Sequence, residues 1–129
     1  MNGSDALAEI ARRLQADLRT RFPQISVHFT DEDGSPICHV SEGGVPWGSV
    51  GTWVDPSDEL SLPEFEDVLV AIAQDVADNL WPDELVDPWP PCPQNSEHPL
   101  QPSLVRGAAS WACSYDAGVA IPIGTLSER

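Results

Sequence analysis

Residues 25–54, ISVHFTDEDGSPICHVSEGGVPWGSVGTWV, decide the fold of this chain. They contain three short runs in which apolar and polar residues alternate, a pattern typical of half-buried β-strands. The runs are residues 25–29, 37–41 and 47–54. The turns at 31–34 and 42–44 contain glycine and are short enough to join antiparallel neighbours, so the stretch predicts a three-stranded meander. Trp47 and Trp53 are expected on one face of its third strand.

Amphipathic helices are predicted on both sides of this meander. In the first helix, Ser4 is expected to cap the amino terminus and Phe22-Pro23 to end the helix. Its apolar stripe consists of Leu7, Ile10, Ala11, Leu14 and Leu18. The second helix follows Ser61-Leu-Pro-Glu64, which matches a capping box. Its apolar stripe consists of Phe65, Val68, Leu69, Ile72, Val76 and Leu80.

The sequence changes character after residue 80. Residues 83–91, DELVDPWPP, predict a proline-rich connection, and residues 108–114 and 119–123 predict a hairpin. The complete prediction is an α+β fold: a helix, a three-stranded antiparallel meander, a helix packed on the sheet, then a loop and a C-terminal β-hairpin. We expect a core at residues 1–80 and a tail at residues 81–129, packed together as one domain.

Charge is the strongest feature of the composition. The chain has 21 acidic and 6 basic residues, a net charge of −15, and its basic residues are all arginines. Residues 22–105 hold sixteen of the acidic residues and none of the basic ones. Nucleic acids attract clustered Lys and Arg, so this balance predicts a protein partner with a basic surface and no nucleic acid. A role in solubility alone explains the same charge.

The remaining composition predicts a cytoplasmic protein with no membrane association. The first residues lack the basic start and apolar core of a secretory signal, and the longest apolar run, residues 68–73, is far too short to span a membrane. Three cysteines are too few for a disulfide scaffold and favour a reducing compartment.

The tail carries a candidate metal site made of Cys92, His98, Cys113 and Asp116. Two chain corners with potential ligands are the layout of a zinc ribbon, in which tetrahedral zinc takes two ligands from each corner. Stronger ligands would be expected at Asn95 and Asp116, three positions after each cysteine. One structural zinc, no cofactor with free packed thiols, a Cys92–Cys113 disulfide and a catalytic pair with His98 all remain open.

The tail also resembles a group of small uncharacterised bacterial proteins. The resemblance lies in Trp-Pro-Pro-Cys-Pro, His-Pro-Leu and Gly-Ala-Ala-x-Trp-x-Cys, and it covers about the last forty residues. In that group a Cys-Pro-x-His corner often stands where this chain has Cys92-Pro-Gln-Asn95. The resemblance implies a zinc-ribbon-like hairpin that has lost a ligand at Asn95, and it implies no known activity.

No catalytic signature is complete. The chain has no phosphate-binding glycine loop, no Gly-x-Ser-x-Gly elbow and no His-Glu-x-x-His helix. We therefore expect a small acidic protein-binding protein, of inhibitor, immunity or accessory type, with a zinc protein or Cys/His enzyme as the alternative. The expected contact residues are Trp47 and Trp53 on the sheet and Asp67 and Asp78 on the second helix. A small-molecule binder with a Trp-lined pocket is a third possibility.

The aromatic side chains either pack inside the fold or contact a partner. The five tryptophans are expected to pack the core or the tail, or to anchor a partner. They are Trp47, Trp53, Trp81, Trp89 and Trp111. His28 and His39 lie on adjoining arms of the first predicted hairpin and are expected to face each other as surface or half-buried histidines.

Overall fold

Two helices and two small sheets make up the fold. A computed structural model describes residues 1–32, 34–80, 89–95, 97–116 and 118–128, so Trp81 and most of the predicted proline-rich connection lie outside the described residues. The elements are α1 (Gly3–Leu18), β1 (Ile25–Glu32), β2 (Ser35–Glu42), β3 (Val45–Gly51), α2 (Leu62–Leu80), β4 (Gln101–Val105), β5 (Ala108–Ala112), β6 (Ala120–Pro122) and a 3-10 turn, Leu126–Glu128. The predicted α+β class is confirmed.

The strands form two antiparallel sheets, with orders β1-β2-β3 and β4-β5-β6. The predicted meander is the first sheet, in which His28 lies opposite His39 and His39 opposite Ser49. The predicted hairpin is β5 and β6, and β4 adds a strand that the sequence did not predict. The sequence of β4, QPSLV, contains a proline, which an edge strand tolerates because its outward side needs no N–H donor.

Helix α1 has its N-cap two residues before the predicted cap, Ser4. Asp5 N donates to the side-chain oxygen of Asn2 at 2.8 Å, and Asn2 has the extended backbone of an N-cap residue. Ser4 therefore lies inside the first turn, and the prediction that it caps the helix was wrong. The local reason is that Gly3 N donates to Asp58 O at 2.7 Å, which ties the start of the helix to the loop before α2.

Helix α2 starts as predicted. Glu64 N donates to Ser61 Oγ at 3.3 Å, and Ser61 N donates to Glu64 Oε1 at 3.1 Å, which completes the capping box. The helix contacts β3 of the first sheet and both β4 and β5 of the second. Its buried residues join those of α1 and of both sheets in one hydrophobic cluster. Neither α-helix in the described part of the chain has the length and apolar content needed to cross a membrane.

A buried carboxylate joins the first helix to the tail. Asp17 is fully buried, and its Oδ2 accepts hydrogen bonds from Trp111 Nε1 at 2.7 Å and Gly124 N at 2.6 Å. Its Oδ1 accepts from Leu126 N at 3.0 Å. Burial raises the pKa of Asp17 even though these three hydrogen bonds act to lower it, and the charge of Glu128 raises it further. Asp17 thus carries three contacts to residues about one hundred positions away.

Aromatic rings pack where the tail meets the first sheet. Phe22 makes edge-to-face contacts with Trp47, at a centroid distance of 4.8 Å, and with Trp89, at 6.1 Å. Trp89 in turn lies 6.2 Å from Trp111. Such pairs stabilise a fold beyond the area that they bury. Three of the five tryptophans therefore belong to packing between the core and the tail.

Candidate functional site

The third strand is shorter than predicted, and this separates the two tryptophans expected on one face. β3 ends at Gly51, so Trp53 lies beyond the sheet. Thr52 N still donates to Pro36 O at 3.1 Å, but Pro36 has no N–H to return and the ladder stops there. Trp47 is half-buried against Phe22, whereas the Trp53 side chain is 97% exposed. Of the two, Trp53 is the one available to a partner.

Trp53 borders a shallow cleft of about 360 Å³ between the end of β3 and the carboxyl-terminal half of α2. Asp75 and Asn79 supply the helix side of the cleft, and Val50 and Thr52 supply the strand side. The Oγ1 atom of Thr52 is buried and is the one such side-chain atom without a hydrogen-bond partner among the described residues. An unpaired buried hydroxyl costs about 1–3 kcal/mol until water or a bound group satisfies it.

The acidic face of α2 continues from this cleft. Asp67 and Asp78, the two predicted contact residues on the helix, are both exposed. They are eleven positions apart, so they lie on the same face, separated by about 16 Å along the axis. Asp78 accepts a hydrogen bond from Gln74 Nε2 at 2.8 Å, and Asn79 Nδ2 donates to Asp75 O at 3.0 Å. We call Trp53, Asp75, Asp78 and Asn79 the Trp53 site.

Sequence reasoning missed Asp75 and Asn79 of the Trp53 site, and it missed Thr52, which lines the adjoining cleft. Helical spacing could have identified Asp75, because it lies three positions before the predicted contact residue Asp78 and so on the same side of α2. The cleft itself was not readable, because it depends on where β3 ends relative to α2. No Lys or Arg occurs between residues 22 and 105, so neither α2 nor the meander supplies an ammonium or guanidinium group that could pair with these carboxylates.

The two predicted metal-binding corners exist as paired loops in the tail. Cys92 N donates to His98 O at 2.9 Å, and Cys113 N donates to Val119 O at 3.2 Å, so each cysteine opens a tight loop. Both thiols are buried and free. The Cys113 thiol is close enough to Cys92 to act on its pKa, so the two thiols are neighbours.

The environment of Cys92 favours a thiolate. Removal from water raises the pKa of Cys92, but hydrogen bonds from the backbone amides of Gln94 and Asn95 and from Cys113 outweigh that effect, so the pKa is lowered overall. The negative charge of Asp116 opposes the lowering. By contrast, burial without such donors raises the pKa of Cys38 to about 12.

The other two predicted ligands are engaged elsewhere. The His98 ring lies against Tyr115 at a centroid distance of 4.1 Å, and Asp116 Oδ1 accepts a hydrogen bond from Gly118 N at 2.9 Å. Within the ranges that the structure describes, no group of three or more His, Cys, Asp or Glu side chains is arranged to hold a metal ion. The structure therefore assembles the cysteine pair and not the full predicted set.

The open face of the first sheet carries the two strand histidines. The rings of His28 and His39 stack at a centroid distance of 5.1 Å, which confirms that they face each other. Thr30 Oγ1 lies 2.7 Å from His39 Nε2, and Ser49 Oγ lies 2.7 Å from His39 Nδ1. Both ring nitrogens of His39 are thus occupied, which makes this row a structural polar network and not a ligand set.

Comparison with known proteins gives no family assignment: no family model, no curated protein and no solved structure matches the chain. The fold and the surface chemistry are therefore the basis for inferring its class. They describe a small acidic α+β protein with an exposed tryptophan beside an acidic helix.

Proposed function

We propose that this chain is a small protein-binding protein without catalytic activity, of inhibitor, immunity or accessory type, whose partner has a basic surface. The observation that carries the proposal is Trp53, a large aromatic side chain that is 97% exposed. Tryptophan is enriched among the few interface residues that contribute most to binding, each by about 2 kcal/mol or more. Here it stands beside a cleft instead of on a flat polar surface.

Charge supports a basic partner. Asp75, Asp78 and Asp67 lie along the same side of α2, and the cleft puts Asp75 next to Trp53. An arginine of a partner can stack its guanidinium on an indole ring and hydrogen-bond to a carboxylate at the same time. The net charge of −15 raises the rate of encounter with such a surface.

The experiment is affinity capture at low salt from cells that express the chain, using wild type, Trp53→Ala and Tyr115→Ala. Tyr115 is an exposed aromatic residue on the tail and serves as the matched control. We expect a partner with a basic surface to bind wild type and the control, and to bind Trp53→Ala at least tenfold more weakly. Recovery of no partner by a folded wild-type monomer would argue strongly against the proposal.

A structural zinc in the tail is the second candidate, and the adjacent thiols of Cys92 and Cys113 favour it. Thiolates are preferred zinc ligands, and the lowered pKa of Cys92 favours that form. His98 and Asp116 would have to leave their present contacts to complete a tetrahedral shell. Elemental analysis of protein purified without chelator tests it: one zinc per chain, lost in Cys113→Ser, supports the candidate, and absence of zinc removes it.

A further inference from the structure

An apolar groove separates the first half of α1 from the second half of β1. Its volume is about 390 Å³. Leu7, Ala8 and Ala11 line it from the helix, and Phe29 and Asp31 line it from the strand. The two alanines have short side chains that do not fill the space between the helix and the strand, so there is room for side chains of another chain.

β1 is an edge strand, because the order of its sheet is β1-β2-β3. Side chains of α1 and of its C-cap residue, Arg19, satisfy outward main-chain groups in the first half of β1. Val27 N donates to Gln15 Oε1 at 3.0 Å, and Arg19 Nε donates to Ile25 O at 3.1 Å. The outward groups at Ile25 and Val27 therefore do not template a neighbour.

The second half of the edge is different. Main-chain groups on an antiparallel strand point alternately toward and away from the neighbouring strand, so Phe29 and Asp31 point the same way as Val27, away from β2. Among the described residues, nothing donates to or accepts from these outward groups. An edge of this kind is a template for another strand, and here it borders the apolar groove.

We infer that an extended segment of a basic partner adds to β1 as a fourth strand of the first sheet. Its main chain pairs with the outward groups of Phe29 and Asp31, and its alternate side chains enter the groove beside Ala8 and Ala11. This is recognition by strand addition, in which the main chain supplies affinity and pockets for every second side chain supply specificity.

Charge identifies the occupant as basic. Asp31 is exposed at the groove, and Pro56, another lining residue, sits between the exposed Asp55 and Asp58. The described lining residues include no Lys or Arg. Pairing of two β1 edges from two copies would bring like charges together in a chain of net charge −15. A segment that alternates basic and small apolar residues fits both the groove and its rim.

This surface is separate from the Trp53 site. Trp53 follows β3, at the opposite edge of the sheet from β1, and the strand-addition surface uses neither Trp53 nor α2. If the Trp53 site binds no partner, strand addition at β1 can still be tested, and the reverse also holds. A partner that engages both edges would hold the first sheet from two sides.

The test uses the full chain and a synthetic six-residue peptide that alternates lysine and valine, at near-physiological salt. Hydrogen exchange is followed by NMR at the amides of Phe29 and Asp31, with the amide of Val27, already bonded to Gln15, as internal reference. We expect the peptide to slow exchange at Phe29 and Asp31 at least tenfold and to leave Val27 unchanged. A peptide of the same sequence with alternate amides N-methylated cannot form the ladder and should give no protection.

Two variants separate the surfaces. Ala8→Arg fills the groove at an exposed helix position and should weaken peptide binding at least tenfold, while Trp53→Ala should leave it unchanged. Equal binding of the N-methylated peptide would overturn the inference, because it would indicate attraction by charge alone. Equal binding to Ala8→Arg would overturn it too, as would protection of Phe29 and Asp31 in a dimer without peptide.

Discussion

The indole of Trp111 donates a hydrogen bond to the carboxylate of Asp17 across 94 residues of chain, with 2.7 Å between Nε1 and Oδ2. Gly124 N and Leu126 N donate to the same carboxylate. We expect Asp17→Ala to lower the free energy of unfolding by about 3 kcal/mol, because one buried donor and two part-buried donors lose their acceptor. Urea unfolding measures the change. Trp111→Phe, which removes one donor and keeps most of the ring, should cost less, and a wild-type midpoint for Asp17→Ala would contradict this role.

The pH dependence of the same carboxylate is a separate prediction. Because the pKa of Asp17 is raised in the folded chain, its contribution is fully present below the unfolded pKa of about 3.9 and is lost as pH rises through the folded pKa. The stability advantage of wild type over Asp17→Asn should therefore be larger near pH 4 than at pH 7. Unfolding curves at both pH values measure it. An advantage that grows with pH would mean that the three hydrogen bonds outweigh burial.

Replacing Trp47 and replacing Trp53 should have different effects on the free energy of unfolding. Trp53→Ala is expected to change the free energy of unfolding by less than about 0.5 kcal/mol, because its side chain is 97% exposed. Trp47→Ala should cost about 2–4 kcal/mol, because it removes a half-buried ring that packs against Phe22. Thermal or urea unfolding of both variants provides the comparison. A large loss for Trp53→Ala would assign that residue to packing and remove the basis of the Trp53 site.

Cys92 and Cys38 should titrate in a fixed order. The pKa of Cys92 is lowered, and that of Cys38 is raised to about 12, so thiolate absorbance from Cys92 should develop before that from Cys38 as pH rises. Cys92→Ser should therefore reduce the thiolate absorbance at the lower end of the ultraviolet titration, and Cys38→Ser should leave it in place. An unchanged curve for Cys92→Ser would show that the amides of Gln94 and Asn95 do not lower the pKa of Cys92.

The raised pKa of Cys38 also predicts how the free energy of unfolding depends on pH. The raised pKa of Cys38 means that its contribution is present below the unfolded pKa of about 8.5 and is lost as pH rises toward 12. Wild type should therefore lose stability above pH ~8.5 more steeply than Cys38→Ala. Unfolding curves from neutral to alkaline pH test this, and parallel curves for the two proteins would contradict it.

Local patterns in the sequence were enough for the meander, the stripes of both helices and the capping box at Ser61 and Glu64. They also placed His28 opposite His39, because alternation fixes which residues of neighbouring strands face each other. Each of these features depends on residues close together in the chain. The prediction of the α1 cap was wrong for the opposite reason. The start of the helix is fixed by a contact with a distant loop, in which Gly3 N donates to Asp58 O, and Asn2 is therefore the cap.

The Asp17 contacts and the cysteine loops bring together residues far apart in the chain, so the sequence predicted them only in part. Asp17 left a signal, an acidic residue seven positions after Ile10 on the apolar stripe, but nothing local identified its partners 94 to 109 positions away. A shared site for Cys92 and Cys113 was one of several alternatives that the corner spacing left open. The contact of the His98 ring with Tyr115 was not predicted, because ring packing between two loops has no sequence period.

The position of Asp17 also bears on how the chain folds during synthesis. Its helix leaves the ribosome before the residues that bind it, since Trp111, Gly124 and Leu126 are added 94, 107 and 109 residues later. Until then the carboxylate lacks these donors and stays hydrated, so the end of α1 at Asp17 cannot dock against the tail, although α1 can already contact β1. We expect nascent chains stalled before Trp111 to show weaker exchange protection near Asp17 than the full chain. The last hydrogen bonds to form would then be those that hold the first helix against the tail.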